Sequence, residues 1–358
     1  HFGLRSAGPA SLRACRAMAP IAKVLRTPES ALLSVPGWEW GRPSFFTSKL
    51  FGAEIRIAYW DLRPGGPTEP SETLLLTHGE PSWSYLYRRM VKPLLAKGHR
   101  VVLFDQVGFG WSDKPADVAD YTYERHVAWN EDLLVNHLDL RHVTAVFQDW
   151  GGLLGLRVVA RNPDRFDRLV IANTALTTCD VAFEGKDYVS QGFYDWKEHV
   201  RQGGLRGPGK IGKLIGRSTQ GPSCGPSGRL SKEEEAAYQA PFPDDSFTAG
   251  AQAFPELVPT PPSDPTGRPE SVGGEANRAA WAVFGVWHKP VLTAFSDSDP
   301  VLGSGGGIWL EKCPGTRGQP HRKIRGGGHF LQDGAGQELA QAVIEFIERN
   351  PRGGISRL

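Results

Sequence analysis

The stretch Val143–Arg161, "VTAVFQDWGGLLGLRVVAR", decides how this chain is read. An apolar run reaches Phe147, and Gly151 and Gly152 follow the Asp149–Trp150 pair. The remainder, "LLGLRVVAR", reads as a helix. A short apolar run bounded in this way fits a buried strand. The two glycines allow a sharp strand-to-helix turn, which lifts the side chain of Asp149 into the open at the start of the helix. The positive end of the helix dipole favours an ionised carboxylate at that point. Taken alone, Asp149 would equally serve as a helix cap. Its meaning depends on the rest of the chain.

On both sides of this unit the pattern repeats. "EIRIAYWDL" (54–62) alternates like a half-buried strand, while "TLLLTHG" (73–79), "RVVLFDQVG" (100–108), "RLVIANTAL" (168–176) and "KPVLTAFSDSD" (289–299) are continuous apolar runs that end in polar or glycine residues. Such runs are expected in a largely parallel sheet covered on both faces. Between them, "YTYERHVAWNEDLLVNHLDL" (121–140) and "GQELAQAVIEFIER" (336–349) show helical spacing, with Leu339, Val343, Ile344 and Ile347 on one face. Strand–helix alternation of this kind predicts an α/β fold with a doubly wound, mostly parallel sheet.

The alternation lapses between about residues 177 and 285. Two Gly/Pro-rich stretches, 197–230 and 259–274, flank "SKEEEAAYQAPF", where Ser231 and Glu234 fit a capping box. A mostly helical insertion resting on the sheet is expected here. The predicted organisation is an N-terminal extension and lead-in (1–49), a core split between 50–176 and 286–358, and the insertion at 177–285.

In open α/β sheets the active site lies at the C-terminal ends of the strands. The residues there are His78-Gly79-Glu80, Asp105, Asp149-Trp150, Asn173, and Asp297 with Asp299; His329 follows in the glycine-rich "IRGGGHF". Acid, acid and histidine in that order form a nucleophile–orienter–base set. A serine attacks carbonyls, whereas a carboxylate can attack a saturated carbon and become an ester itself. Water activated by His329 would then attack that ester. The developing oxyanion would be met by the backbone N–H groups of Trp150 and Glu80. A carboxylate at Nδ1 would hold the histidine tautomer, with Nε2 neutral and ready to accept a proton. Asp105 is expected to brace a turn.

The bulk properties narrow the classes further. A net charge of +2, from 41 basic and 39 acidic residues, with the basic residues scattered, gives no sign of a polyanion partner. Cys15, Cys179, Cys224 and Cys313 lie far apart without metal-ligand spacing, as expected of reduced thiols in a cytoplasmic protein. No apolar run approaches the roughly 20 residues of a membrane span. The N-terminal segment is rich in arginine and has no acid before Glu29, which fits an organelle transit peptide; the plainer reading makes Met18 the start.

"THGEPSWSYLYRRM", "FDQVGFGWSDKP", "FQDWGG", "AYQAPFPDDSFTAGAQAFPELV" and "GGGHF" together resemble the haloalkane dehalogenases of the α/β-hydrolase superfamily, from about residue 73 to the C-terminus. The resemblance implies displacement of halide by Asp149, an alkyl-enzyme ester, and its hydrolysis to an alcohol. It implies a small halogenated substrate, water and a halide ion as partners, and no metal, organic cofactor, nucleic acid or membrane. Trp150 matches one halide donor of the family. Glu80 stands where some members carry an asparagine donor, so the second donor is expected from the cap, at Trp196 of "SQGFYDWKEHV". Asn173 occupies one of the family's two triad-acid positions and is not an acid; Asp299 of "SDSDPVLG" matches the other, in preference to Asp297. Phe193, Phe254, Pro255, Val258, Val301 and Leu302 match apolar pocket positions.

Two other readings stay open at this level. Epoxide hydrolases share the Asp-Trp turn but need an acid for the alkoxide, usually cap tyrosines, and the insertion offers Tyr188, Tyr194 and Tyr238. A binding protein that keeps the pocket without turnover is the other. The segments Gly203–Gly228 and Thr260–Glu275 depart from the family, and both fall in or beside the cap.

Overall fold

A computed structural model describes residues 19–65, 69–185, 189–261 and 273–354. The Met18 start, Cys15, Tyr188 and most of the Thr260–Glu275 segment lie outside the described residues. Eight strands form the main sheet: β1 (Ser44–Ser48), β2 (Ile55–Leu62), β3 (Thr73–Thr77), β4 (Arg100–Phe104), β5 (Val143–Phe147), β6 (Phe166–Ile171), β7 (Val291–Ser296) and β8 (Arg322–Ile324). Their spatial order is β8-β7-β6-β5-β3-β4-β2-β1. All pairings from β4 to β8 are parallel, and β2 pairs antiparallel with both β4 and β1.

Burial follows this topology. Strands β3, β5, β6 and β7 are buried at every position, because helices cover both faces of the parallel region. β2 keeps partial alternation near the antiparallel edge. β1 extends the sheet to residue 44, ahead of the expected core start at 50. Its "SFFTS" is too short and too exposed to stand out from sequence. Ile21 and Leu32, earlier still, are also buried.

Helices α1 (Arg88–Ala96), α2 (Tyr123–Glu131) and α3 (Trp150–Arg161) alternate with the strands. The insertion contains α4 (Gln191–Arg201), α5 (Lys210–Ser218), α6 (Lys232–Gln239) and α7 (Ala249–Leu257); α8 (Gly274–Phe284) returns the chain to β7, and α9 (Gly336–Arg349) closes it. α8 packs on α3, and α9 packs on α1. At the start of α6 the Ser231 hydroxyl accepts from the Glu234 N–H while the Glu234 carboxylate accepts from the Ser231 N–H, completing the expected capping box. α5 is a helix within the Gly/Pro-rich stretch. Ile211, Leu214 and Ile215 have helical spacing, and Ile211 and Ile215 are fully buried, which explains why it forms among so many glycines.

A buried polar bracket fastens the insertion to the core. Arg88 and Arg89 of α1 both reach Glu234 of α6, at 2.7 and 2.6 Å. The same arginines pair with Asp333, which also accepts from the hydroxyl of Tyr238. Among the described residues, no helix is long and apolar enough to cross a membrane.

Candidate active site

The strand order reverses at β3, whose neighbours β4 and β5 lie on opposite sides, and such a switch point opens a crevice beyond the strand ends. Asp149 stands there, between the end of β5 and the first turn of α3. Its φ of 49° and ψ of −131° put it outside the regions favoured by a side-chain-bearing residue. The strained turn is over-determined by its surroundings, as persistent strain at functional positions must be. The Asp149 N–H donates to the Asn173 carbonyl at 2.8 Å, and the Thr174 hydroxyl donates to the Asp149 carbonyl at 2.7 Å. A Cβ at Gly79 would fall 2.1 Å from Asp149 Oδ1, and one at Gly151 would fall 2.1 Å from the Thr77 carbonyl. These two glycines let the turns after β3 and β5 approach.

The approach brings the Glu80 N–H onto Asp149 Oδ1 at 2.8 Å. Trp150 opens α3 directly after the carboxylate. On the other oxygen, Oδ2, His329 Nε2 stands at 3.6 Å. His329 Nδ1 lies 3.1 Å from both oxygens of Asp299, whose side chain is fully buried. The imidazole therefore sits between two carboxylates. Burial works to lower its pKa, but Asp299 and Asp149 outweigh burial and push it up to about 10. With Asp299 on one side and Asp149 on the other, the protonated ring is favoured while both carboxylates are charged.

The other strand-end acids serve the scaffold. Asp105 accepts from the N–H groups of Ser84 and Trp111, bracing two loops as expected. Asp297 accepts from the Gly326 N–H, 2.8 Å away, and the contact with His329 falls to Asp299. Asn173 has a task that its sequence position did not reveal. Its amide donates to the carbonyls of Gly328 and His329 at 2.9 and 3.0 Å and accepts from the Ser296 N–H. The amide ties the histidine loop to β6 and β7, which a carboxylate without donors could not do.

Above these groups lies a cavity of about 490 Å³. Phe193, Trp196, Pro255, Val258, Val301 and Leu302 line it, together with Trp150. α4 is pinned over the site through its first turn: the Ser190 hydroxyl donates to the Val301 carbonyl at 2.7 Å. Phe254 is a correction to the expected pocket set. It is fully buried and packs on Trp150 with ring centroids 4.6 Å apart, so it backs the indole instead of lining the cavity. Glu80 contributes more than its N–H. Burial and the Asp149 charge drive its carboxyl well above the usual range, against the opposing effects of His329 and of a hydrogen bond with Trp196. The same causes favour the neutral form of this side chain, which lines the cavity.

The segment following α5 docks against the histidine loop backbone to backbone. The His329 N–H donates to the Ser218 carbonyl at 3.3 Å. A Cβ at Gly221 would lie 2.3 Å from the Gly334 carbonyl, at Gly328 2.7 Å from the Ser218 carbonyl, and at Gly334 2.1 Å from the Gln220 carbonyl. No side chain fits in that seam. The glycine-rich run around His329 was visible in the sequence, but its partner strip was not.

A family profile described as "alpha/beta hydrolase fold" matches residues 72–213. A haloalkane dehalogenase of Psychrobacter cryohalolentis is 43% identical over 333 residues, covering 92% of this chain and 100% of that protein. The chain belongs to the haloalkane dehalogenase family. Another haloalkane dehalogenase, from Mycolicibacterium paratuberculosis, is 39% identical and covers 90% of this chain and 98% of its own length. Among solved structures, the tetrameric haloalkane dehalogenase DpaA of Paraglaciecola agarilytica superposes with a TM-score of 0.74 at 30% identity, over 91% of this chain and 99% of that one. As a haloalkane dehalogenase, the chain is a hydrolase, and the carboxylate at its strand-to-helix turn accords with the chemistry of that family.

Proposed function

We propose that this chain hydrolyses haloalkanes to an alcohol and a halide ion through an ester on Asp149, with His329 as base and Asp299 as its orienting acid. The observation that carries the reading is the placement of one carboxylate. Asp149 is exposed to the cavity at the start of α3, with a backbone donor on Oδ1 and the imidazole opposite Oδ2.

Oδ1 is engaged by Glu80, so Oδ2 is the oxygen free to attack. It forms a bond to the saturated carbon as the carbon–halogen bond breaks and the electron pair leaves with the halide. A halide needs donors but no proton, and an indole N–H supplies one without ionising. Trp150 and Trp196, which both line the cavity, take that role. Trp196 lines the same cavity as Glu80 and Asp149, which supports that role. Phe193, Pro255, Val258, Val301 and Leu302 receive the alkyl chain.

Ester formation removes the negative charge from Asp149 and with it part of what holds the proton on His329. The imidazolium then gives its proton to solvent, the net proton of the reaction, and becomes the base. Water gives up a proton to Nε2 and adds to the ester carbonyl carbon. The charge that develops on Oδ1 meets the Glu80 N–H, which lies 2.8 Å from that oxygen before reaction, and the N–H of Trp150. Collapse expels the alkoxide with the original carboxylate oxygen; it takes the proton left on the added hydroxyl and departs as the alcohol, so the water oxygen stays on the regenerated Asp149 carboxylate and His329 is left protonated.

An epoxide reading finds less support. Tyr238 gives its hydroxyl to Asp333, and Tyr194 is not part of the cavity lining; Tyr188 lies outside the described residues. The test is a His329→Gln variant incubated with 1-bromohexane. Its intact mass should rise by one hexyl group less a proton, mapped to Asp149, with one equivalent of bromide released. Bromide release without an adduct, or an adduct elsewhere, overturns the assignment.

A further inference from the structure

Two basic side chains also line the cavity, Arg217 from the Gly203–Gly228 segment that departs from the family pattern and Arg229 directly after it. Leu214, Arg217 and Ser218 share one face of α5, and all three line the cavity, as does Arg229. Arg229 donates to the Arg217 carbonyl at 3.0 Å, which holds the two residues side by side. Among the described residues neither guanidinium forms an ion pair with a carboxylate, although most buried and surface arginines here do. The other charged or titratable groups of the rim are Asp195 and His199 on α4. Asp195 accepts from the Gln191 amide, and His199 stacks on Trp196. The balance at the mouth is therefore positive. This face of α5 is also fixed relative to the reacting groups, because the Ser218 carbonyl, next to Arg217, accepts the His329 N–H.

We propose that Arg217 and Arg229 form a carboxylate-binding subsite, and that the preferred substrates are haloalkanes carrying a terminal carboxylate at the end opposite the halogen. The inference rests on the hydrolytic reading given above. An alkyl chain lies along the apolar wall with its halogen toward Trp150 and Trp196, and its anionic end meets the two guanidiniums. A planar guanidinium suits a carboxylate better than a point charge does. The same rim resists a cationic tail.

The test compares turnover of 6-bromohexanoate, 1-bromohexane and 6-bromohexylammonium, with bromoalkanoates from four to eight carbons to match the reach. The wild-type kcat/KM should rank carboxylate, neutral, ammonium. Exposed ion pairs are worth about 0.2–1 kcal/mol each, so an Arg217→Gln/Arg229→Gln variant should lower the carboxylate-to-neutral ratio by roughly 2- to 30-fold, mainly through KM. Equal ranking of the three substrates in the wild type overturns the proposal, as does an unchanged ratio in the variant. A variant that loses 1-bromohexane turnover to the same degree also overturns it, by placing the arginines in halide exit or folding. Wild-type failure on every bromide would instead sink the hydrolytic reading itself.

Discussion

Asp149→Asn replaces the carboxylate facing His329 with a neutral amide, the same loss of charge that ester formation brings. The two groups lie 3.6 Å apart. At an effective dielectric constant of about 20, a unit ion pair at that separation is worth about 4–5 kcal/mol, or about three pKa units. His329, held at about 10 beside both carboxylates, should therefore fall to about 7 in the variant. The assay is nitrogen NMR of histidine-labelled protein, titrated from pH 5 to 11. His329 is identified among the ten histidines by the signal that His329→Gln removes. A companion stability measurement carries a fixed sign. A pKa raised in the folded state contributes stability that is full below the unfolded value of about 6.5 and is lost as pH rises through the folded value, about 10. The wild type should lose stability across that window, and Asp149→Asn should lose much less. If His329 titrates within one unit of the same pH in both proteins, the idea that esterification itself arms the base is wrong.

The remaining predictions concern the supports of the site. Asp299→Asn should leave alkylation of Asp149 largely intact while slowing ester hydrolysis by roughly four orders of magnitude, as when a triad histidine loses its tautomer control; rapid-quench trapping of the alkyl-enzyme checks this. Asn173→Asp would set a carboxylate against the carbonyls of Gly328 and His329. It should cost about 1–3 kcal/mol in a urea melt, whereas a stabilised protein would mean that the histidine loop does not depend on that amide. Gly151→Ala places a methyl group against the Thr77 carbonyl and should destabilise by about 1–3 kcal/mol; an unchanged thermal midpoint argues against the close approach of β3 and β5. Trp196→Phe removes one proposed halide donor. Turnover should drop by about two orders of magnitude, and bromide should quench less tryptophan fluorescence; unchanged turnover would leave Trp196 as packing.

The sheet and the turn that carries Asp149 were legible because each rests on a local rule. The run ending at Phe147, the paired glycines and the helical spacing after them describe one turn, and the structure contains that turn around Asp149. Where two acids competed for one role, Asp297 and Asp299, sequence context favoured the one that lies against His329. What stayed hidden depends on contacts between distant segments. Asn173 looked like a missing acid, yet its donors hold residues more than 150 positions away. Phe254 matched a pocket position, but burial behind Trp150 is a property of packing. The upward pull on the His329 pKa could not be read from its neighbours in the chain, since Asp299 and Asp149, which exert it, arrive through the fold. α5 was masked by glycine content although its isoleucines carried the helical period.

The glycine seam between residues 218–221 and the histidine loop bears on attempts to retarget this enzyme. Exchanging the variable part of the insertion for that of a relative is a natural route to new specificity. Here the exchanged piece would take with it the Ser218 carbonyl that anchors the His329 backbone. A chimera that reshapes the pocket but misplaces Gly221 would wedge a methyl group against the carbonyls of Gly326 and Gly334 and shift His329 relative to Asp149. Swaps that stop short of residue 218, or that transplant both strips together, respect that coupling.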